Sequence, residues 1–213
     1  MDSLKKLIEG YEKYRQGYYR EHCKCLEELG RKGQSPKVAV VACCDSRVDP
    51  TVITSSNLGD LFVIRNVANL VPPFEKSEYR HGTSAALEFA VRNLNVEHII
   101  VLGHAKCGGI RSLFETDGES TPEDSFIGAW MSTADEVRRQ VLADPTLTTL
   151  DERATACEQR SILASLANLM TYSWVRERVE AGRLELHGWY YNVISGELLM
   201  LENDKTCLCE AND

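Results

Sequence analysis

No apolar run in this 213-residue chain approaches the roughly 20 residues that a membrane-crossing helix needs. Positive charge is also short: 24 Lys and Arg stand against 32 Asp and Glu, a net charge of −8. That balance argues against a general nucleic-acid binder, which needs a basic surface to neutralise phosphates. Internal repeats, low-complexity tracts and linker-like stretches are missing, so residues 1–213 read as a single domain, with 1–33 as an N-terminal helical arm. The opening segment has neither the apolar centre nor the cleavage site of a secretory leader; Met1 to Tyr14 sets Leu4, Leu7 and Ile8 among charges, as an amphipathic helix does. A cytoplasmic location is therefore expected. With 43% hydrophobic and 26% charged residues the composition is that of a folded domain.

Cysteine, by contrast, is abundant. Eight of them in a chain read as cytoplasmic are not a disulfide framework, because the compartment is reducing and a domain of this size does not need one. Metal binding or thiol chemistry should account for some and packing as small apolar side chains for the rest. The Cys23/Cys25 and Cys207/Cys209 pairs have no neighbouring His or third Cys to complete a tetrahedral set, and read as incidental.

Helical periodicity runs from Asp2 to about Leu29, with Gly30 and Gly33 as stop signals. Three short apolar runs follow: Val38 to Ala42, Leu61 to Ile64, and His98 to Leu102. Each has the length and continuity of a strand buried on both faces. A helical pattern spans Thr83 to Asn93 between the last two, and another occupies Asp124 to about Gly182 with an interruption at Asp144-Pro145. Leu184 to Val193 and Glu197 to Glu202 form a terminal hairpin pattern around Ile194-Ser195-Gly196. The expectation is an α/β fold: a central, mainly parallel sheet flanked by helices, with the helical arm at one end and a strand hairpin at the other.

Ligands of open α/β sheets bind beyond the carboxyl ends of parallel strands. The first strand delivers Cys43-Cys44-Asp45-Ser46-Arg47 to that edge, and the third delivers His104-Ala105-Lys106-Cys107-Gly108-Gly109. If the two strands are neighbours, Cys43, His104 and Cys107 can reach one ion. Two thiolates and an imidazole suit zinc, and three protein ligands leave a fourth position open. Pattern alone leaves the other reading standing, in which these are packed side chains at strand ends. Asp45 and Arg47 add weight to the metal site: a carboxylate held by a guanidinium stays ionised and can orient a nucleophile at the metal. A surface ion pair is the blander reading of the two.

The Cys43–Arg47 segment and Gly103–Gly109 closely resemble the two signature motifs of β-class carbonic anhydrases. Phe62 to Asn69, Ser165 to Leu169 and Gly188 to Tyr191 resemble further segments of the family's plant-like branch. The resemblance implies reversible hydration of carbon dioxide to bicarbonate, one Zn2+ per chain on Cys43, His104 and Cys107, and Asp45 with Arg47 as the catalytic dyad. It implies a substrate site drawn from Gln34, Phe62, Val67, Phe89 and the Gly108 amide. Phe89 departs from the plant pattern, where a tyrosine stands, so a pocket hydroxyl is lost. Assembly as a homodimer or a higher even oligomer is implied too. Family members that close around a non-catalytic bicarbonate carry a tryptophan three residues before the first cysteine ligand; Val40 occupies that position here, so Asp45 is expected to stay with Arg47.

An alternative activity on the same site is hydrolysis of carbonyl sulfide or carbon disulfide. A non-enzymatic bicarbonate sensor is disfavoured by the presence of both Asp45 and Arg47. Trp130, Trp174 and Trp189 read as core or interface residues, Lys106 as solvent-facing, and His81 as a candidate proton shuttle. His22, His98 and His187 have no partner visible in the sequence.

Overall fold

The computed structural model describes residues 2–76, 80–115, 125–201 and 208–210. By contact the chain divides into Met1–Ser35 and Pro36–Asp213.

The first unit holds α1 (Ser3–Gln16) and α2 (Tyr18–Lys32). Asp2 caps α1, its carboxylate accepting from the Leu4 amide at 3.1 Å. The sequence pattern, continuous from Asp2 to about Leu29, is broken at Gly17, whose φ of −101° and ψ of −97° no helix contains. Gly30 does not stop α2; Gly33 does, with φ +82°, a conformation that costs a residue without Cβ nothing. His22 has a partner after all: its ring stacks on Tyr18 at 4.0 Å and its Nδ1 lies 2.9 Å from the Tyr18 carbonyl.

The second unit runs β1 (Val38–Cys43), α3 (Pro50–Ile53), β2 (Leu61–Asn66), α4 (Gly82–Glu88), β3 (His98–His104), α5 (Gly108–Glu115), α6 (Phe126–Met131), α7 (Asp135–Leu142), α8 (Leu150–Leu169), α9 (Ser173–Glu180), β4 (Glu185–Tyr191), β5 (Leu198–Leu201) and β6 (Leu208–Glu210). A π-helical turn, Phe89–Asn93, carries on from α4 and completes the helical pattern read at Thr83 to Asn93. The long pattern after residue 124 resolves into four helices, with the Asp144-Pro145 interruption falling between α7 and α8.

Among the described residues six strands lie in the order β2-β1-β3-β4-β5-β6. β1 pairs in parallel with both β2 and β3, and β3 with β4. The expected hairpin is present, β5 returning antiparallel on β4 with Trp189 opposite Met200. β6, which no sequence pattern announced, adds to β5; Glu202 and Cys207 lie outside the described residues. Alternate residues of the central strands feed two cores. Ala39, Val41, Ile99 and Val101 join Leu87, Ile162 and Leu169 from the helices. Val40, Ala42, Ile100 and Leu102 cluster on the other face with Val48. Burial on both faces is why these strands read as unbroken apolar runs. The three tryptophans pack against the cores as expected. No helix among the described residues is long and apolar enough to cross a membrane.

Candidate metal centre

Because β1 and β3 are parallel neighbours in register, their carboxyl ends stop side by side, β1 at Cys43 and β3 at His104. Lys106 takes φ +58°, a tight left-handed corner that turns the chain back and delivers Cys107. The ligand atoms of Cys43, His104 and Cys107 lie within 4.8 Å of one another, all three residues buried.

The three side chains shift one another's protonation. The Cys107 thiol, donating toward Cys43, lowers the Cys43 pKa; the same contact and burial push Cys107 up. Only one of two adjacent buried thiols ionises readily without a cation between them. Burial opposes charge on His104, but the nearby Cys43 sulfur outweighs it and raises the imidazole. His104 Nδ1 lies 3.0 Å from the Ala105 carbonyl. Its Nε2 is buried without a protein partner, the arrangement of an imidazole oriented by one nitrogen to ligate through the other. A divalent cation fits this donor set, because it lets both thiols ionise and engages the orphan nitrogen.

Around the cluster a turn is tied at several points. Asp45 N donates to Cys43 Sγ at 3.4 Å. Arg47 grips the Asp45 carboxylate with two side-chain bonds, Nε to Oδ1 at 3.0 Å and Nη2 to Oδ2 at 2.6 Å, and its own amide adds a third at 2.9 Å. These hold Asp45 well below the usual carboxylate range, and the pairing raises Arg47 in turn. Arg47 Nη2 also donates to the Lys106 carbonyl at 2.9 Å, so the dyad is fastened to the loop between two of the candidate ligands. Lys106 itself is partly exposed and pairs with Asp151 at 3.3 Å.

Two residues of this site gave no signal that the sequence reading used. Arg65, on β2, donates to three carbonyls of the turn: Cys43 at 2.9 Å, Asp45 at 2.7 Å and Val48 at 2.8 Å. Glu158, only 3% exposed, accepts from the Cys107 amide at 2.9 Å and from the Tyr190 hydroxyl at 2.7 Å. Burial raises its pKa against the pull of those bonds. The usable signal was helical spacing: Glu158 falls on the same stripe of α8 as Ala154, Cys157, Ser161, Ile162 and Ser165, where a charge needs a reason. Cys157 is a buried thiol pushed up to about 11 by desolvation, a packed small side chain.

Of the residues expected to line a substrate pocket, two are in ring contact. Phe62 and Phe89 meet at a centroid distance of 5.9 Å, Phe62 being part of the first core. Val67 packs instead with the cluster that contains Cys43 and Cys107. Val67 also lies close against Gly109, where an added Cβ would stand 2.8 Å from Val67 Cγ1 and 3.3 Å from Ala68 Cβ. Gly108 opens α5 directly after Cys107. Gln34 lies in the N-terminal unit. His81 precedes α4 and borders a cleft of about 760 Å³ shared with Val67, Phe126 and Trp130.

Known proteins share both sequence and fold. A family model described as carbonic anhydrase matches residues 38–198. A carbonic anhydrase of Synechococcus elongatus is 38% identical over 198 residues, covering 93% of this chain and 71% of that one. The solved structure of the β-carbonic anhydrase CcaA superposes with a TM-score of 0.90 at 34% identity, covering 100% of this chain and 94% of the other. One of two tetrameric β-carbonic anhydrases from Sordaria macrospora gives 0.82 at 25% identity, over 95% and 98%. Matched along its sheet, both signature turns and nearly its full length, the chain belongs to the β-class carbonic anhydrase family.

Proposed function

We propose that the chain catalyses the reversible hydration of carbon dioxide to bicarbonate and a proton, with one zinc ion held by Cys43, His104 and Cys107. The observation that carries this reading is the buried, unpartnered His104 Nε2 facing two thiols, one of which is already driven toward the thiolate. Zinc bound by three protein ligands supplies Lewis acidity, which brings the pKa of a water toward neutrality.

The chain's own residues do the rest. Asp45, kept ionised by Arg47, is an acceptor and not an acid at any working pH; it takes a hydrogen bond from the attacking water and fixes its orientation. Arg47 restrains that carboxylate through its second anchor on the Lys106 carbonyl. Gln34, Phe62, Val67, Phe89 and the Gly108 amide are assigned to substrate, an apolar lining suiting a small apolar gas. Phenylalanine at 89 gives no hydroxyl, so polar contacts to bicarbonate fall to Gln34 and to backbone amides.

Hydrolysis of carbonyl sulfide or carbon disulfide draws no support from the relatives described above, each of which is named as a carbonic anhydrase. We further assign an even homo-oligomer. Phe126 (93% exposed) and Val52 (76%) are apolar surface that a second copy would cover, and the Sordaria relatives are described as tetramers. Free thiols, with Cys25 and Cys44 exposed, suit a reducing compartment such as the cytoplasm.

Stopped-flow indicator assays with carbon dioxide, carbonyl sulfide and carbon disulfide, run beside metal analysis, test the reading. One zinc per chain and turnover of carbon dioxide are expected, with zinc lost in Cys107→Ala and turnover nearly abolished in Arg47→Ala. Full zinc occupancy in Cys107→Ala, or an inert zinc-loaded protein, would overturn it.

A further inference from the structure

A second constellation of metal-ligating side chains sits at the other end of the sheet. His98 opens β3 and stands directly opposite Glu185, the first residue of β4. His187 follows two positions on, and the two-residue period of a strand returns it to the same face. His98 Nδ1 lies 3.1 Å from His187 Nε2, and Glu185 Oε2 lies 3.7 Å from the first and 3.8 Å from the second. We propose that His98, Glu185 and His187 form a second divalent-metal site, taking zinc or a similar borderline transition ion, that clamps the amino-terminal ends of β3 and β4 together.

The dimensions fit. Ligand bonds of about 2.0–2.1 Å place the corners of a tetrahedron roughly 3.3 Å apart, so the His–His edge is already closed and the carboxylate must move in by about half an ångström. Two imidazoles and one carboxylate are donors that zinc, nickel and copper share, and they leave at least one position for water. The side chains are 38%, 69% and 35% exposed for His98, Glu185 and His187, so an ion has an open path and the carboxylate has freedom to adjust.

The flanking charges are engaged elsewhere. Lys37 is paired with Glu97 at 2.6 Å, and Arg178 is spent on Asn95 Oδ1 at 2.7 Å and the Val91 and Val96 carbonyls. Among the described residues the ion-pair partners of Glu185 are the two imidazoles, and no lysine or arginine pairs with it. Six residue steps along β3 separate His98 from His104, roughly 20 Å, so this site fills and empties independently of the first.

The experiment is a zinc titration of the purified protein that already carries its tightly held ion, followed by calorimetry and by metal analysis after dialysis. A second equivalent bound at micromolar concentration is expected, raising the thermal unfolding temperature. His187→Gln and His98→Gln should each weaken it by tenfold or more while keeping the first zinc and carbon dioxide turnover. The exposed Glu185→Gln, least able to disturb folding, should weaken it in the same direction. Absence of a second ion at millimolar zinc would overturn the proposal. So would a second ion that persists in the His98→Gln/His187→Gln double variant, which would place it at other ligands such as the thiols of α2.

Discussion

Replacing Glu158 with alanine should damage the protein through the support of the proposed metal centre and not through its ligands. The carboxylate satisfies two buried donors, the Cys107 amide and the Tyr190 hydroxyl. Removing it leaves both unpaired, at about 1–3 kcal/mol each. The destabilisation is offset in part because burying a carboxylate is itself unfavourable, as its raised pKa shows. The net expectation is a loss of about 2–4 kcal/mol. Glu158→Gln keeps an acceptor for the Cys107 amide and should cost about 1 kcal/mol or less, because the Tyr190 hydroxyl can turn to accept from the new amide. Urea unfolding of the zinc-loaded protein reads this as a shifted midpoint at unchanged slope. A chelator competition should show zinc leaving the alanine variant about 10–100-fold more readily, since Cys107 is no longer held in place. A double cycle with Tyr190→Phe should return a coupling of about 0.5–3 kcal/mol. If Glu158→Ala moves neither the midpoint nor zinc retention, the carboxylate is not what fixes Cys107 and the argument fails.

Adjacent glycines should behave differently. Gly109→Ala drives a methyl into Val67 and Ala68 and should cost about 1–3 kcal/mol in thermal or urea unfolding, whereas Gly108→Ala meets nothing within 4 Å and should be nearly neutral. Thr149 and Glu152 form a reciprocal cap at the start of α8, and Thr149→Ala should cost about 1 kcal/mol. The amides of Thr149 and Thr148 hold Glu152 down at about 2, so its contribution is complete above the ordinary glutamate range and is lost as pH falls toward 2. Acid titration of Glu152→Gln against the parent should show the difference only above that window; one that grows as pH falls would be the wrong sign. Arg65→Lys replaces a fork serving three carbonyls with a single ammonium and should lower kcat several-fold with zinc content intact; unchanged kcat would show that the turn does not need the fork.

What could be read in advance followed from burial. Strands covered on both faces carry unbroken apolar runs, so β1 and β3 announced themselves, and with them the ends that carry Cys43 and His104; the mostly half-buried β2 showed itself only through the short run Leu61 to Ile64. Support contacts were hidden because they depend on register. Nothing local links His98 to His187 until β3 and β4 pair, and nothing links Glu158 to Cys107 until α8 lies against the sheet. Short elements such as α3 and β6 have too few residues to show a period. The break at Gly17 was masked by amphipathic residues continuing on either side of it.

The left-handed corner at Lys106 and the carboxylate behind Cys107 also bear on how the protein is made. A growing chain of about 110 residues already contains all three proposed ligands and both strands that present them. The side chain that holds the Cys107 amide is added some 50 residues later, and its partner Tyr190 later still. During that interval at the ribosome the nascent chain can gather its thiols around an ion without yet being able to lock them. Loading should therefore be reversible until the last third of the chain has been synthesised and packed, and ions exchanged in that interval would be sorted by supply as much as by affinity.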